Sequence, residues 1–416
     1  MPAMNTFSYV FLAVLFASTL IQLWLDQRHL AHIKRHRDAV PPVFADRVTL
    51  ASHQLAADYS SAKTRFDIAT ILFECAFALA LTFGGGLQWL NDLTSTWFNA
   101  GILRGIALIA LVALLSTLVD LPFSYFRTFI IEQRFGFNRM TKRMFIADTF
   151  KHLLLAAAFG LPLIAAVLWL MAKAGIAWWL YAWILWVAFN LFLLVAYPLW
   201  IAPLFNKFSP LDNAGLRERI EQLLARCGFQ AQGLFVMDGS TRSSHGNAYF
   251  TGFGKARRIV FFDTLLTRLD GDEIEAVLAH ELGHFKLHHV VKRMVWIFAG
   301  SLVMLWLLSF LMNQTWFYAG LHVNTVSTAM ALVLFFIALP PFTFLLHPLF
   351  AAYSRKHEFE ADAYAVKQAS ASALISALVK LYQDNAATLT PDPLHSSFHD
   401  SHPPAPLRIA RLQSIV

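Results

Sequence analysis

Residues Leu269–Leu287 read LDGDEIEAVLAHELGHFKL, and within them His280-Glu281-Leu282-Gly283-His284 has the form H-E-x-x-H. Ile274, Val277, Leu278, Leu282 and Phe285 recur at helical spacing and make an apolar stripe. Asp270 is placed to cap this helix, with Glu273 as its capping-box partner. Residues four apart share a helix face, so His280 and His284 can offer ring nitrogens to one metal. Glu281 sits about 100° around the axis, near enough to reach water at that metal without ligating it. Two neutral imidazoles and a carboxylate base are what a hydrolytic zinc site requires. A helix with two surface histidines is the plain alternative, and the surrounding sequence decides between them.

That surrounding sequence is membranous. The chain has 416 residues, 57% of them hydrophobic and 14% charged, with a mean hydropathy of +0.53. A water-soluble globular protein needs no such apolar excess. Seven runs, at roughly 6–25, 66–90, 101–126, 152–172, 177–201, 292–312 and 325–348, are long enough to cross a hydrocarbon core of about 30 Å. The first has no basic leader and no small-residue cleavage site, so it reads as a retained anchor. The expected fold is an all-α polytopic membrane protein with seven transmembrane helices. A small cytoplasmic metalloprotease subdomain, containing a short β-ribbon, is set among them.

Loop charge gives an orientation. Arg28, Lys34, Arg35, Arg37, Arg47, Lys63 and Arg65 follow the first run, and Arg127, Arg134, Arg139, Lys142, Arg143 and Lys151 follow the third. The alternate loops, 91–100, 173–176 and 313–324, hold only Lys173. Positive-inside logic puts the N-terminus outside, with the H-E-x-x-H helix and the C-terminus in the cytoplasm. These loops account for the net charge of +7. No basic groove with interleaved aromatics accompanies them, so nucleic acid is not an expected partner. Cys75 falls in a span and Cys227 in a polar segment, which argues against a disulfide.

The chain divides into 1–203 (five spans), 204–291 (the polar segment with the metal helix), 292–350 (two spans) and 351–416. In the polar segment, Asn213 to Cys227 reads as a helix ended by Gly228. Short strand-like runs follow at Leu234–Asp238, Asn247–Phe253 and Arg258–Leu266, with a hairpin turn around Gly252, Gly254 and Lys255–Arg257. An unpaired strand edge beside the metal helix can hold an extended peptide by main-chain hydrogen bonds. A hairpin that merely packs on the helix fits the same pattern.

A catalytic zinc usually has a third protein ligand. His288 is excluded, because it lies about 12 Å from His280 along a straight helix. His288 and His289 read instead as residues near a span end. After the seventh span, SRKHEFEADAYA (354–365) reads as a helix continuing out of the bilayer. Its Glu358 and Asp362 are four apart, suited to one ligand and one carboxylate that orients a ligating histidine. Glu360 falls on the opposite side. A solvated acidic face with Arg355 and Lys356 is the alternative.

At these residues the chain resembles the integral-membrane zinc metallopeptidases of the CAAX prenyl protease 1 family. The resemblance covers nearly the whole chain. It rests on 46–66 (DRVTLASHQLAADYSSAKTRF), 121–141 (LPFSYFRTFIIEQRFGFNRMT), 247–266 (NAYFTGFGKARRIVFFDTLL), the His280–His284 motif, 354–365 and 401–409 (SHPPAPLRI). It implies seven membrane helices around a water-filled chamber. It implies Zn2+ bound by His280, His284 and Glu358, Glu281 as general base and Asp362 behind a ligand. Asn247 would pair with the substrate main chain. His402 and Arg408, in the HPPxxxR motif, would face the site to bind substrate or stabilise the oxyanion. Pro406 is an additional proline within that motif. Known members remove C-terminal tripeptides from farnesylated CAAX proteins, and some cut a second, upstream site. The partners expected are a peptide or protein substrate, prenylated in known members, and the lipid bilayer, with a monomer as the simplest assembly.

Residues alone add one hint of an interior: Glu74 and Asp120 lie within or at the ends of spans, where acids face protein or water. Pro340, Pro341 and Pro348 should kink the seventh span. Two other functions compete. A transporter or scaffold with a structural zinc would want four ligands, often cysteines, and neither of the two cysteines is near the motif. A quality-control protease would share the chemistry and accept unprenylated peptides.

Overall fold

A computed structural model describes residues 3–251 and 258–415. Helix α1 (Thr6–His36) is capped by Asn5, which accepts from the Ser8 N–H. There follow α2 (Leu50–Leu81), α3 (Gly86–Trp97), α4 (Ile102–Phe126), α5 (Lys142–Leu155), α6 (Leu161–Lys173) and α7 (Trp178–Ala196). Five helical stretches are long and apolar enough to span: Thr6–His36, Ile102–Glu132, Lys142–Lys173, Gly175–Leu204 and His289–Leu311. Two bent pairs bring the number to as many as seven. Four of the five bury only 6% of their most apolar window within the protein, and α1 33%. Apolar surface on that scale belongs in lipid.

One bent pair falls where a straight span was expected, and the other where the prolines predict a kink. The run at 66–90 is broken at Thr82–Gly85, and α2 meets α3 at 54°. Glycine causes the break: Gly85 has φ +75°, and a Cβ on Gly84 would sit 2.6 Å from the Ala80 carbonyl oxygen. The run at 325–348 becomes α13 (Thr328–Phe344) and α14 (His347–Gln368), which diverge by 67°. The kink falls at Leu345–Leu346, after the Pro340–Pro341 pair, and Pro348 sits in the first turn of α14, where no N–H is required. The helix carrying Glu358 is therefore turned off the span's axis and laid beside the metal helix.

The polar segment folds as β1 (Phe208–Pro210), α8 (Ala214–Arg226), β2 (Gly233–Met237), β3 (Ala248–Thr251), β4 (Arg258–Phe262), α9 (Asp263–Leu266) and α10 (Gly271–Lys286). Asn213 caps α8 and Gly228, at φ +63°, ends it. The strands form one mixed sheet in the order β1-β2-β4-β3, with β2 and β4 parallel and the outer pairs antiparallel. The expected ribbon is thus part of a larger sheet. It gains β1, and residues 263–266 are helical instead of strand. The expected hairpin turn lies outside the described residues. Strand β3 is an edge of the sheet.

The chain continues through α11 (His289–Leu311), α12 (Thr315–Gly320), α13 and α14. It ends with α15 (Ala371–Asp384), α16 (Pro393–His399) and α17 (Ala405–Gln413). One core joins α8, β4, α10, α15 and α17 through Ile220, Ile259, Leu278, Leu282, Leu374 and Ile409. A second, at the far end of the spans, gathers Phe11, Leu87, Leu108, Phe317 and Met330. Cys75 and Cys227 are free thiols, as expected.

Candidate active site

Helix α10 is set rigidly. Asp270 accepts from the Glu273 N–H and Glu273 accepts from the Asp270 N–H, a capping box worth about 1 kcal/mol. The buried Glu273 also accepts from Ser376 Oγ and Lys380 Nζ, each at 2.7 Å, which ties α10 to α15. Helix α14 crosses it at Gly283. A Cβ there would lie 3.0 Å from the Ala361 Cα and 3.1 Å from its carbonyl oxygen, so the glycine permits the close approach.

This approach brings His280, His284 and Glu358 together. The two Nε2 atoms are 3.2 Å apart, with the rings at 79°. Glu358 Oε2 is 3.5 Å from His280 Nε2, and Oε1 is 3.3 Å from His284 Nε2. A tetrahedral ion with bonds of about 2.05 Å separates its ligands by about 3.3 Å. Glu358 Oε2 is buried and has no aligned hydrogen-bond donor, although His402 Nδ1 lies 2.8 Å away. The three residues fit a divalent metal. The Glu281 side chain is half-buried and, among the described residues, makes no hydrogen bond or ion pair.

The outer ring nitrogens fix the tautomers. His280 Nδ1 lies 2.8 Å from Asp362 Oδ1, so it carries the hydrogen and Nε2 presents a lone pair. Arg408 holds Asp362 from behind. Its Nε donates to Oδ2 at 2.8 Å and its Nη2 to Oδ1 at 2.6 Å, and all three residues are buried. Pro406 lies in the first turn of α17 and does not disturb this placement. His402 is largely exposed, and Asn247 accepts from its neighbour Ala248 N–H at 2.8 Å at the head of β3. Asn247, Tyr382 and His402 line one cavity of about 710 Å³.

Two residues escaped the sequence reading. His289 is not a bystander near a span end: it is 3% exposed, and its Nδ1 lies 3.0 Å from His284 Nδ1. Its Nε2 lies 2.9 Å from Glu360 Oε2. Glu360 therefore accepts from His289 Nε2–H, His289 Nδ1 accepts from His284 Nδ1–H, and His284 Nε2 is left with its lone pair inward. The turn that delivers His289 is His288 itself, at φ +59° between α10 and α11. No linear motif announces a pairing made by that turn and a residue on another helix. His289→Ala is expected to weaken metal binding roughly 10–100-fold without removing it. Competition with a chromogenic chelator measures this, and unchanged affinity would refute it.

Burial lowers the proton affinity of His280, but Asp362 and then Glu358 more than reverse this and raise its pKa from 6.5 to about 9. A proton thus competes with metal for Nε2. Metal uptake should release that proton, so affinity should rise roughly tenfold per pH unit up to about pH 9. The metal-free protein behaves oppositely. Its folded-state pKa is raised, so this group's stabilisation is complete below about pH 6.5 and is lost as pH rises through about 9. Calorimetric metal titrations at pH 7 and pH 8 in buffers of different ionisation enthalpy measure the proton release, and a pH-independent affinity would contradict it.

The chain is similar to known proteins along nearly its whole length. Residues 29–207 match the model described as CAAX prenyl protease N-terminal, five membrane helices, and residues 210–416 match peptidase family M48. CAAX prenyl protease 1 of Saccharomyces cerevisiae is 34% identical over 90% of this chain and 89% of its own length. The homologue from Arabidopsis thaliana is 36% identical over 95% and 94%, and the human one 31% over 98% and 96%. The crystal structure of S. mikatae Ste24p superposes with a TM-score of 0.92 at 32% identity, covering 99% of this chain and all of that one. With a metal-fitting H-E-x-x-H site on a membrane-spanning scaffold, the chain belongs to the CAAX prenyl protease 1 family, the multi-pass membrane metalloendopeptidases of family M48.

Proposed function

We propose that the ion is Zn2+, held by His280, His284 and Glu358, and that the substrate is the C-terminal segment of a prenylated CAAX protein. Two imidazoles, one carboxylate and an open fourth position are the donor set of a catalytic zinc. The ion, when bound, polarises the scissile carbonyl and acidifies water. Glu281, unpaired and one residue from His280, takes the proton of the attacking water and returns it to the leaving amine. His402, beside Glu358, donates toward the oxygen where charge develops. Asp362 orients His280, and Arg408 fixes Asp362 while facing the same site. The outer edge of β3, headed by Asn247 and unpaired among the described residues, binds the peptide as an added strand.

The observation that carries this reading is the shared cavity. Asn247 and His402 line it together with Lys63 and Asp67 of α2, so the residue heading β3, the histidine beside Glu358 and a membrane helix share one space. The substrate class follows the relatives, which are named CAAX prenyl proteases. The basic loops after the first and third spans support a cytoplasmic site, with the N-terminus outside.

A farnesylated peptide ending in CAAX tests it against the same peptide without the lipid. Purified protein in vesicles is expected to release the tripeptide from the first at least ~10-fold faster. No cleavage of either would overturn the substrate assignment. Equal rates would favour a quality-control protease.

A further inference from the structure

A second group of metal-ligating side chains stands apart from His280, His284 and Glu358. Asp26 of α1 and His395 and His399 of α16 each place a ligand atom within 4.8 Å of the others. Asp26 is 4% exposed, and its Oδ1 lies 3.2 Å from His395 Nε2. Among the described residues no lysine or arginine pairs with it. Arg28, two positions on, is spent on Asp392 at 2.9 Å. The other oxygen, Oδ2, is buried with no partner, and so is His395 Nδ1. Apart from His395, no basic group meets this carboxylate among the described residues, and its open buried oxygen is a place for a cation.

The flanking contacts prepare the ligands. His399 Nδ1 donates to the His395 carbonyl oxygen at 3.0 Å, which leaves Nε2 with its lone pair. His29 Nδ1 accepts from the Asp392 N–H at 3.2 Å, and its ring stacks on His395 at 4.0 Å and 8°. His29 is thus the floor of the group and not a ligand. His395 is fixed between His29 and Asp26. His399 is exposed and can swing from its own stack on His395, at 4.3 Å, to complete the set. Two imidazoles and one carboxylate suit a borderline divalent ion such as Zn2+, Co2+ or Ni2+.

We propose that Asp26, His395 and His399 form a second transition-metal site, which shares no ligand with His280, His284 and Glu358. The ion replaces the hydrogen between His395 and Asp26. It ties the first membrane helix to the segment that, three residues after His399, carries His402. His29, His395 and His399 line the same cavity as His402, so the group borders that shared space.

Untagged, chelator-stripped full-length protein in detergent is titrated with Co2+, read by metal analysis and by the visible absorption of the bound ion. The wild type is expected to take up two equivalents. His280→Ala/His284→Ala should keep one, and adding His395→Ala should leave none. Adding Asp26→Asn instead, which preserves shape, should also leave none while the helical circular dichroism is unchanged. No uptake by His280→Ala/His284→Ala would overturn the proposal, as would one equivalent surviving both His395→Ala and Asp26→Asn. A wild type that binds only one equivalent, removed by His395→Ala, would refute the catalytic metal and leave this site standing.

Discussion

Glu281→Gln is expected to keep its metal and to lose peptidase turnover by about 10²–10⁴-fold. The expectation rests on what the Glu281 side chain does not do: among the described residues it has no hydrogen bond or ion pair, so its carboxylate holds no neighbour in place. The amide has nearly the shape of the carboxylate but cannot accept the proton of the attacking water. KM should change little, because the group acts in the transition state and not in binding. The check is metal content alongside kcat on a peptide substrate. Substantial turnover by fully loaded Glu281→Gln would remove Glu281 from the role of base.

Glu358→Ala is expected to fail at an earlier step. Among the described residues its carboxylate is the only acid that contacts both Nε2 atoms, at 3.5 and 3.3 Å. Removing it should weaken metal binding at least ~100-fold, more than a change to a residue that only orients a ligand. The fold should survive, because Asp362 and Arg408 still pair with each other at 2.6 and 2.8 Å. That buried pair is the structural keystone: cutting it by Arg408→Ala should cost about 3–5 kcal/mol. Full metal occupancy in Glu358→Ala, measured by mass spectrometry of the purified protein, would point to a different third ligand.

The membrane character, the metal helix and the small subdomain were legible because each is written in local pattern. Hydropathy over about 20 residues shows a span, and Asp270 with Glu273 shows a helix start. Direction is not local. The prolines of the seventh span announced a kink but not its 67°, and the 54° break at Gly84–Gly85 lies in a run of apolar residues that looks alike whether straight or broken. The sheet order β1-β2-β4-β3 brings Phe208–Pro210 to a strand more than 20 residues away, which no turn signal records.

The same limit applied at the site. Glu358 and Asp362 were visible because a four-residue spacing puts them on one face. Glu360 was set aside for the same reason, since it faces the other way. It is just this outward direction that meets His289, after the positive-φ turn at His288 has folded α11 back against α10. Gly283 fills an unspecified position of H-E-x-x-H, and its missing side chain is what lets α14 reach the histidines. Both facts belong to the crossing of two helices and are invisible along either one.

The account depends on one ion gripped by residues from α10 and α14 together. Crystals of the purified protein measured at the zinc absorption edge test this directly. An anomalous peak about 2.0–2.2 Å from His280 Nε2, His284 Nε2 and a Glu358 oxygen is the predicted result. No peak among those three side chains, or an ion held there with Glu358 turned away, would contradict it.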